Sequence, residues 1–247
     1  MDWLLPPSTL PVLRANTVHL WRAHLDSYAG PAVLSADEKA RAASFKFPLH
    51  QQRFIAARSV LRTILARYIY PMDVKALGIP EKIVFAYSKY GKPYLAENTA
   101  SLFFNLSHTK EWALYAISLE EKIGVDIESI QTEKEVENIA SRFFSPYENK
   151  QLNQLSADKK IAAFFQLWAC KEAFIKAVGE GLSFPLKDFD IALQENTAHL
   201  RSIRGDKRAG ESWSVLPLYA QENYAAALAV KTQVECLHAW QFCAANP

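Results

Sequence analysis

The segment Trp168-Ala-Cys-Lys-Glu-Ala-Phe-Ile-Lys-Ala-Val-Gly179 constrains this chain most, because it sets a carboxylate into an otherwise greasy helix. At a helical period of 3.6 residues, Ile161, Phe164, Phe165, Trp168 and Ile175 share one stripe, with Glu172 at its centre and Lys171 and Lys176 on its edges. Leu167, Phe174 and Val178 fill a second apolar sector. Ala162, Ala169, Ala173 and Ala177 give a small-residue face that another element can approach closely. The helix is therefore expected to be central, with Glu172 turned inward. A buried carboxylate is costly unless a cation, a metal or a hydrogen-bond network meets it. The alternative is an exposed helix on which Glu172 and Lys176, spaced i,i+4, form a surface ion pair.

With 247 residues, half of them apolar, the chain can bury a sizeable core as one large domain or two small ones. A net charge of +2 argues against a nucleic-acid partner. Residues 1–121 carry +4 and residues 122–247 carry −2, which fits an anion site in the first half and a cation site in the second. Cys170, Cys236 and Cys243 show no metal spacing and read as reduced thiols, so a cytoplasmic location is expected. No charged, apolar leader opens the chain and no apolar run is long enough to span a bilayer, so no membrane partner is expected. Walker, dinucleotide-binding and His-Glu-x-x-His motifs are absent.

Alternation within residues 10–25 predicts an early strand. Ser35-Ala-Asp-Glu38 is a capping box opening a helix through Phe45. After an interruption at Pro48, residues 51–69 have helical spacing and carry Arg53, Arg58, Arg62 and Arg67, which read most simply as a solvated face. Strands are expected at Ile83–Tyr87, Leu102–His108 and residues 112–118, with a turn at Tyr90-Gly-Lys-Pro93. In Ile123-Gly-Val-Asp-Ile-Glu128, a period of two sends Val125 and Ile127 to one face and Asp126 and Glu128 to the other, their Cα atoms roughly 6.5–7 Å apart. Those acids need a cation between them unless they lie on a solvent face at the sheet's end. Ser145-Pro-Tyr-Glu148 repeats the capping box and assigns Glu148 to a cap. Strands follow around Phe189–Leu193, Trp213–Leu216 and Tyr224–Val230, with a charged loop at 201–212 and a loose end at 240–247.

Asp126, Glu128 and the inward Glu172 offer three oxygen donors with no His or Cys among them. Such a set suits Mg²⁺, or Mn²⁺, completed by water and a substrate phosphate. Lys176, one turn beyond Glu172, can then neutralise a phosphate oxygen. His108 stands open to three readings: base, phosphate ligand or structural histidine.

Gly124-Val-Asp-Ile-Glu128, followed some forty residues on by Trp168-Ala-Cys-Lys-Glu-Ala-Phe-Ile-Lys176, resembles the two-part signature of the 4′-phosphopantetheinyl transferases, in their larger Sfp-type branch. Supporting blocks are Arg53 through Arg62, Tyr90-Gly-Lys-Pro93, Phe104-Asn-Leu-Ser-His108, Ala140-Ser-Arg-Phe-Phe-Ser145 and Gly179-Glu-Gly-Leu182. The resemblance implies an α+β monomer of two similar α/β subdomains related by a pseudo-twofold axis, with the active site in the cleft between them. Residues 1–121 would bind the nucleotide of coenzyme A, and residues 122–247 would carry the Mg-binding carboxylates. It implies transfer of the phosphopantetheine arm from coenzyme A to a serine of an apo acyl or peptidyl carrier protein, with release of adenosine 3′,5′-bisphosphate. The alternative is a non-catalytic descendant that binds coenzyme A or carrier proteins as a scaffold.

Carried over by motif, Asp126, Glu128 and Glu172 match the metal ligands. Glu172 also matches a candidate base, and Lys176 matches the lysine at the pyrophosphate. Arg41, Arg53, Lys92, Ser107 and His108 fall where the family holds the nucleotide and its 3′-phosphate. Two positions depart from the pattern. Glu38 stands where some members carry a basic residue near the 3′-phosphate, and Ala173 replaces a serine next to Glu172.

Overall fold

The computed structural model of the chain describes residues 2–70, 79–131, 135–194 and 197–243. Residues 244–247 of the expected loose end, and the side chain of Leu182, lie outside the described residues. The first half runs through β1 (Thr17–His24), α1 (Ala36–Ala43), α2 (Pro48–Ile69), β2 (Phe85–Tyr87), β3 (Pro93–Leu95), β4 (Phe103–Thr109) and β5 (Trp112–Ser118). The second runs through β6 (Ile123–Ser129), α3 (Val136–Phe143), α4 (Pro146–Asn153), α5 (Ala157–Val178), β7 (Phe189–Gln194), β8 (Thr197–Ile203), β9 (Ser214–Leu218), β10 (Tyr224–Val230) and β11 (Cys236–Gln241).

The two larger sheets repeat one pattern. β1 pairs antiparallel with β5 and β5 with β4, just as β6 pairs with β10 and β10 with β9. The full orders are β11-β1-β5-β4 and β6-β10-β9-β8-β7, with β2 and β3 forming a separate hairpin. Each half also owns a 22-residue helix, α2 or α5. The architecture is therefore α+β in two similar halves, as expected. No helix among the described residues is long and apolar enough to cross a membrane.

Strand alternation decides the layers, because successive side chains leave a strand on opposite faces. On β5, Ala113, Tyr115 and Ile117 pack towards α2, while Leu114 and Ala116 face the other sheet. On β10, Ala225, Ala227 and Ala229 pack towards α5, while Ala226, Leu228 and Val230 face inward with Val125 and Ile127 of β6. The molecule is thus α2, sheet, sheet, α5, with a dry core between the sheets.

Local signals set most helix ends. Ser145 caps α4, accepting the Glu148 N–H at 3.2 Å while the Glu148 carboxylate accepts the Ser145 N–H at 2.9 Å. α5 ends at Gly179, whose φ of +83° suits glycine. Pro48, read as an interruption, instead occupies the first turn of α2, where its missing N–H costs nothing.

Three features differ from the sequence expectations. The chain end does not hang loose from residue 240. β11 pairs in parallel with β1, and Trp240 is buried against Trp21 at 5.0 Å between ring centroids. The loop at 201–212 begins later than expected, because β8 runs to Ile203 with Ala198, Leu200 and Ser202 buried on its inner face. Small or polar inner residues weaken the hydrophobic alternation that marks a strand. The solvated-face reading of the α2 arginines also fails, since Arg62 is 1 % exposed and Arg58 only 14 %.

Candidate active site

Gly124 brings the second half's helix to its sheet. A Cβ at this position would overlap the carbonyl oxygen of Ala173 and the amide nitrogen of Ala177. Bare backbone on β6 and the alanine face of α5 therefore let the two meet without intervening side chains. Two residues further along the same strand face, Asp126 stands opposite Lys176. The Lys176 ammonium donates to Asp126 Oδ1 at 2.6 Å and to Ser107 Oγ at 2.8 Å, and the Ser107 hydroxyl donates to the same Oδ1 at 2.9 Å. Three expected site residues from three elements thus share one knot.

Asp126 is only 3 % exposed, and its second oxygen, Oδ2, is buried with no hydrogen-bond partner among the described residues. Glu172 lies near enough to feel the other acids. Its carboxyl is held above the usual range first by burial, then by Asp126, with Lys176 opposing and Glu128 adding to the rise. Negative charge is in excess here, and an orphaned buried oxygen points to a missing positive partner. No group of three or more His, Cys, Asp or Glu side chains among the described residues is already arranged to hold a metal ion. The single lysine takes part of that role.

The helical-wheel reading needs one correction. Glu172 is only partly buried and lines a cleft, while its neighbour Lys171, placed at the stripe's edge, is 0 % exposed. Lys171 donates to Glu148 Oε1 at 2.5 Å and to the Phe189 carbonyl at 2.9 Å. Glu148 Oε1 also accepts the Ile191 N–H at 2.8 Å. Burial pushes the Glu148 carboxyl up and the Lys171 ammonium down, and the opposite charge of each partner counters both shifts. The wheel erred because α5 is packed on several sides, so the deepest position is set by its neighbours and not by the centre of one stripe.

The cleft has a volume of about 300 Å³ and lies on the seam between the halves, with Tyr90, Lys92 and Asn105 on one wall and Glu172, Lys176 and Gly181 on the other. Asn105 was not singled out from the sequence. Its Oδ1 accepts the Val125 N–H at 2.9 Å, tying β4 to β6 beside Asp126. A second hollow of about 330 Å³ shares Pro93, Leu106 and Lys176 with the first and adds Arg58, Ser107 and His108. Lys92 donates to the Ile123 carbonyl at 2.9 Å, and burial lowers its pKa to about 8. His108 lies exposed at the rim of this hollow, and desolvation of its ring by the surrounding wall, then Lys176, Arg58 and Arg53, hold it below its usual value.

Two expected nucleotide ligands are not drawn into these hollows. Arg53 is clamped by both oxygens of Asp26 at 2.7 Å, and Arg41 is exposed on α1 with its guanidinium 5.6 Å from the Phe45 ring.

Fold and centre together define a class: a two-lobed α+β protein with an acidic, lysine-bridged cleft on the seam between its lobes. A family model described as the 4′-phosphopantetheinyl transferase superfamily matches residues 122–229. The chain is 38 % identical over 236 residues to the 4′-phosphopantetheinyl transferase HetI of a Nostoc species, covering 92 % of this chain and 93 % of that protein. It is 33 % identical to a 4′-phosphopantetheinyl transferase of Bacillus subtilis, covering 67 % of this chain and 69 % of that one. Against the transferase Sfp of Bacillus subtilis strain 168 the identity is 34 %, covering 66 % and 73 %. The chain belongs to this family and is a 4′-phosphopantetheinyl transferase.

Proposed function

We propose that this transferase moves the 4′-phosphopantetheine arm of coenzyme A onto a serine hydroxyl of an apo acyl or peptidyl carrier protein, as a Mg²⁺-dependent cytoplasmic monomer. The serine oxygen forms a new bond to the phosphorus that carries the arm. The pyrophosphate P–O bond breaks, and adenosine 3′,5′-bisphosphate leaves with the bond's electrons. The observation that carries this reading is the Lys176–Asp126–Ser107 knot beside a carboxyl, Glu172, held above its usual range.

Each residue has a task. Glu172, a carboxylate on the cleft wall one turn before Lys176, accepts the serine proton as the new bond forms. Lys176 supports charge on the pyrophosphate. Glu148 is not the base, because it is fully buried and its oxygens already serve Lys171, Ile191 and Ser145. Asp126 through its unpartnered Oδ2, together with Glu128 and Glu172, would hold Mg²⁺, an all-oxygen set of the kind that ion prefers. When bound, the ion shields phosphate charge and polarises the bond to be broken. Ser107, His108 and Lys92 line the hollows on the side of residues 1–121 and face the nucleotide, while residues 122–247 supply the acids. Arg41 and Arg53 supply long-range positive charge instead of direct contacts.

The test is mass spectrometry of a panel of apo carrier proteins incubated with coenzyme A, Mg²⁺ and the enzyme. One added phosphopantetheine arm is expected, abolished by a chelator and restored by Mg²⁺. No gain on any carrier sinks the reading. The scaffold alternative is not favoured, because Asp126, Glu128, Glu172 and Lys176 are all present and the relatives are transferases.

A further inference from the structure

A further hollow, of about 400 Å³, lies on the same seam and shares Lys92, Pro93 and Gly179 with the cleft beside Glu172. The transfer chemistry makes no use of it. β3, β4 and the residues leading into β6 build one side, and the last residues of α5 build the other. Leu95, Leu102, Phe103, Phe104 and Val178 give it an apolar wall. Its volume is in the roughly 300–1,000 Å³ range of small-molecule sites, which are likewise apolar with a few polar groups that fix orientation.

The polar groups here are of one kind. Ser88 Oγ accepts the N–H groups of Tyr90 and Lys92 at 3.3 and 3.1 Å, so its lone pairs are spent and its hydrogen is left to donate. Asn98 Oδ1 accepts the Leu102 N–H at 2.7 Å, which leaves the amide hydrogens. Lys92 gives one N–H to the Ile123 carbonyl at 2.9 Å and has two more. Lys122, exposed at the rim, adds a second ammonium, and two lysines against one acid, Glu121, leave the lining with one positive charge in excess. Such a hollow calls for an apolar ligand whose head only accepts hydrogen bonds and carries one negative charge. A carboxylate has both properties, whereas a phosphate monoester carries close to two charges.

We propose that this hollow binds a medium-chain fatty acid anion, and that its occupancy weakens coenzyme A binding in the adjoining cleft. A Cβ at Gly179 would stand 3.8 Å from Lys92 Cδ, so the lysine stem runs against the end of α5 and, lining both spaces, divides them. A carboxylate on one side then competes for the ammonium with a phosphate on the other, and the two anions repel. The carboxylate site stands independently of the transferase reading; its coupling to coenzyme A rests on that reading.

Calorimetric titration of octanoate and of 1-octanol into the intact enzyme tests the site. Octanoate is expected to saturate one site per chain, with 1-octanol about tenfold weaker for want of charge-assisted hydrogen bonds. Val178→Phe fills the hollow and should weaken octanoate by about tenfold or more. Lys122→Glu should weaken octanoate by about threefold or more and leave 1-octanol unchanged. Equal affinities for the two probes, or octanoate binding unaltered in Val178→Phe, overturn the proposal. If thermal melting shows that Val178→Phe no longer folds, Lys122→Glu decides by itself, and an unchanged octanoate affinity there defeats it. Coenzyme A is then titrated with and without saturating octanoate. A loss of about fivefold or more is expected, with octanoate weakened by the same factor when coenzyme A is bound, since coupling between sites is reciprocal. Independent binding of the two overturns the coupling. Coenzyme A that does not bind at all sinks the transferase reading and leaves the carboxylate site standing, whereas normal coenzyme A binding with no octanoate binding sinks the proposal alone.

Discussion

The two halves solve one packing problem with the same device. In each, the glutamate of a capping box, Glu38 at the start of α1 or Glu148 at the start of α4, receives a buried cation from the following 22-residue helix. Arg62 and Lys171 both stand fourteen residues after the first residue of their helix. Each cation also ties down the chain that leaves the helix, Arg62 through Pro80 and Ile83, Lys171 through Phe189. One carboxylate thus caps a short helix and anchors a long one. The halves diverge around this anchor. Glu172 and Lys176 of α5 correspond in position to Thr63 and Arg67 of α2, whose side chains donate, among the described residues, to the Ser59, Pro7 and Ser8 carbonyls. Only in the second half does a glycine, Gly124, draw the helix down onto its strand and bring Lys176 to Asp126. A shared scaffold needs its ion pair; chemistry needs what stands one and five residues beyond it.

Replacing the paired positions separates scaffold from chemistry most sharply. Lys176→Met should cut turnover on an apo carrier about a hundred- to a thousandfold, while Arg67→Met leaves turnover near the wild-type value; matching losses would erase the functional distinction between the helices. Breaking the anchors comes next. Lys171→Met and Arg62→Met should each cost about 3–5 kcal/mol in denaturant unfolding, because each strands a buried carboxylate. Glu148→Ala belongs with them, well above the cost of a lost cap. If one anchor proves nearly neutral, the common device holds in only one half.

Gly124→Ala should cost about 1–3 kcal/mol from overpacking and lower turnover as well, since the strand bearing Asp126 is pushed off α5. Unchanged stability would mean that the close approach is not needed. Ser145→Ala should cost about 0.5–2 kcal/mol by removing the cap while leaving the Lys171 pair intact. The last effect is absent at neutral pH and appears only on acidification. His19 is the one buried histidine among the described residues, and burial first, then His238, lower its pKa from 6.5 to about 4. Between those values the unfolded chain binds the extra proton, so the stability due to neutral His19 is complete above pH 6.5 and is lost as the pH falls towards 4. His19→Asn should flatten acid unfolding in that window; an unchanged pH profile would locate the acid sensitivity elsewhere.

Much of the site was legible because it is written in short-range patterns. Alternation on β6 set Asp126 apart from Val125 and Ile127, and those two do lie in the core between the sheets. The capping boxes at Ser35 and Ser145 both form. Other features gave no local signal. Arg53 and Arg58 look alike in the sequence, and only Asp26, 27 residues before Arg53, distinguishes them. β11 was missed because its burial depends on β1, which lies at the other end of the chain.

The sequence by itself determined where the capped helices α1 and α4 begin, which strand faces are apolar and which acids share a side, since these follow from residues a few positions apart. Tertiary structure alone decided that Lys171 and not Glu172 is fully enclosed, and that Arg53 is clamped by Asp26 while Arg58 leans on the Tyr87 hydroxyl. A charge is settled by whichever partner reaches it, and Glu148 lies 23 residues from Lys171 and Glu38 24 from Arg62. Separations of that length are closed by helix packing inside each half, not by any local preference of the chain.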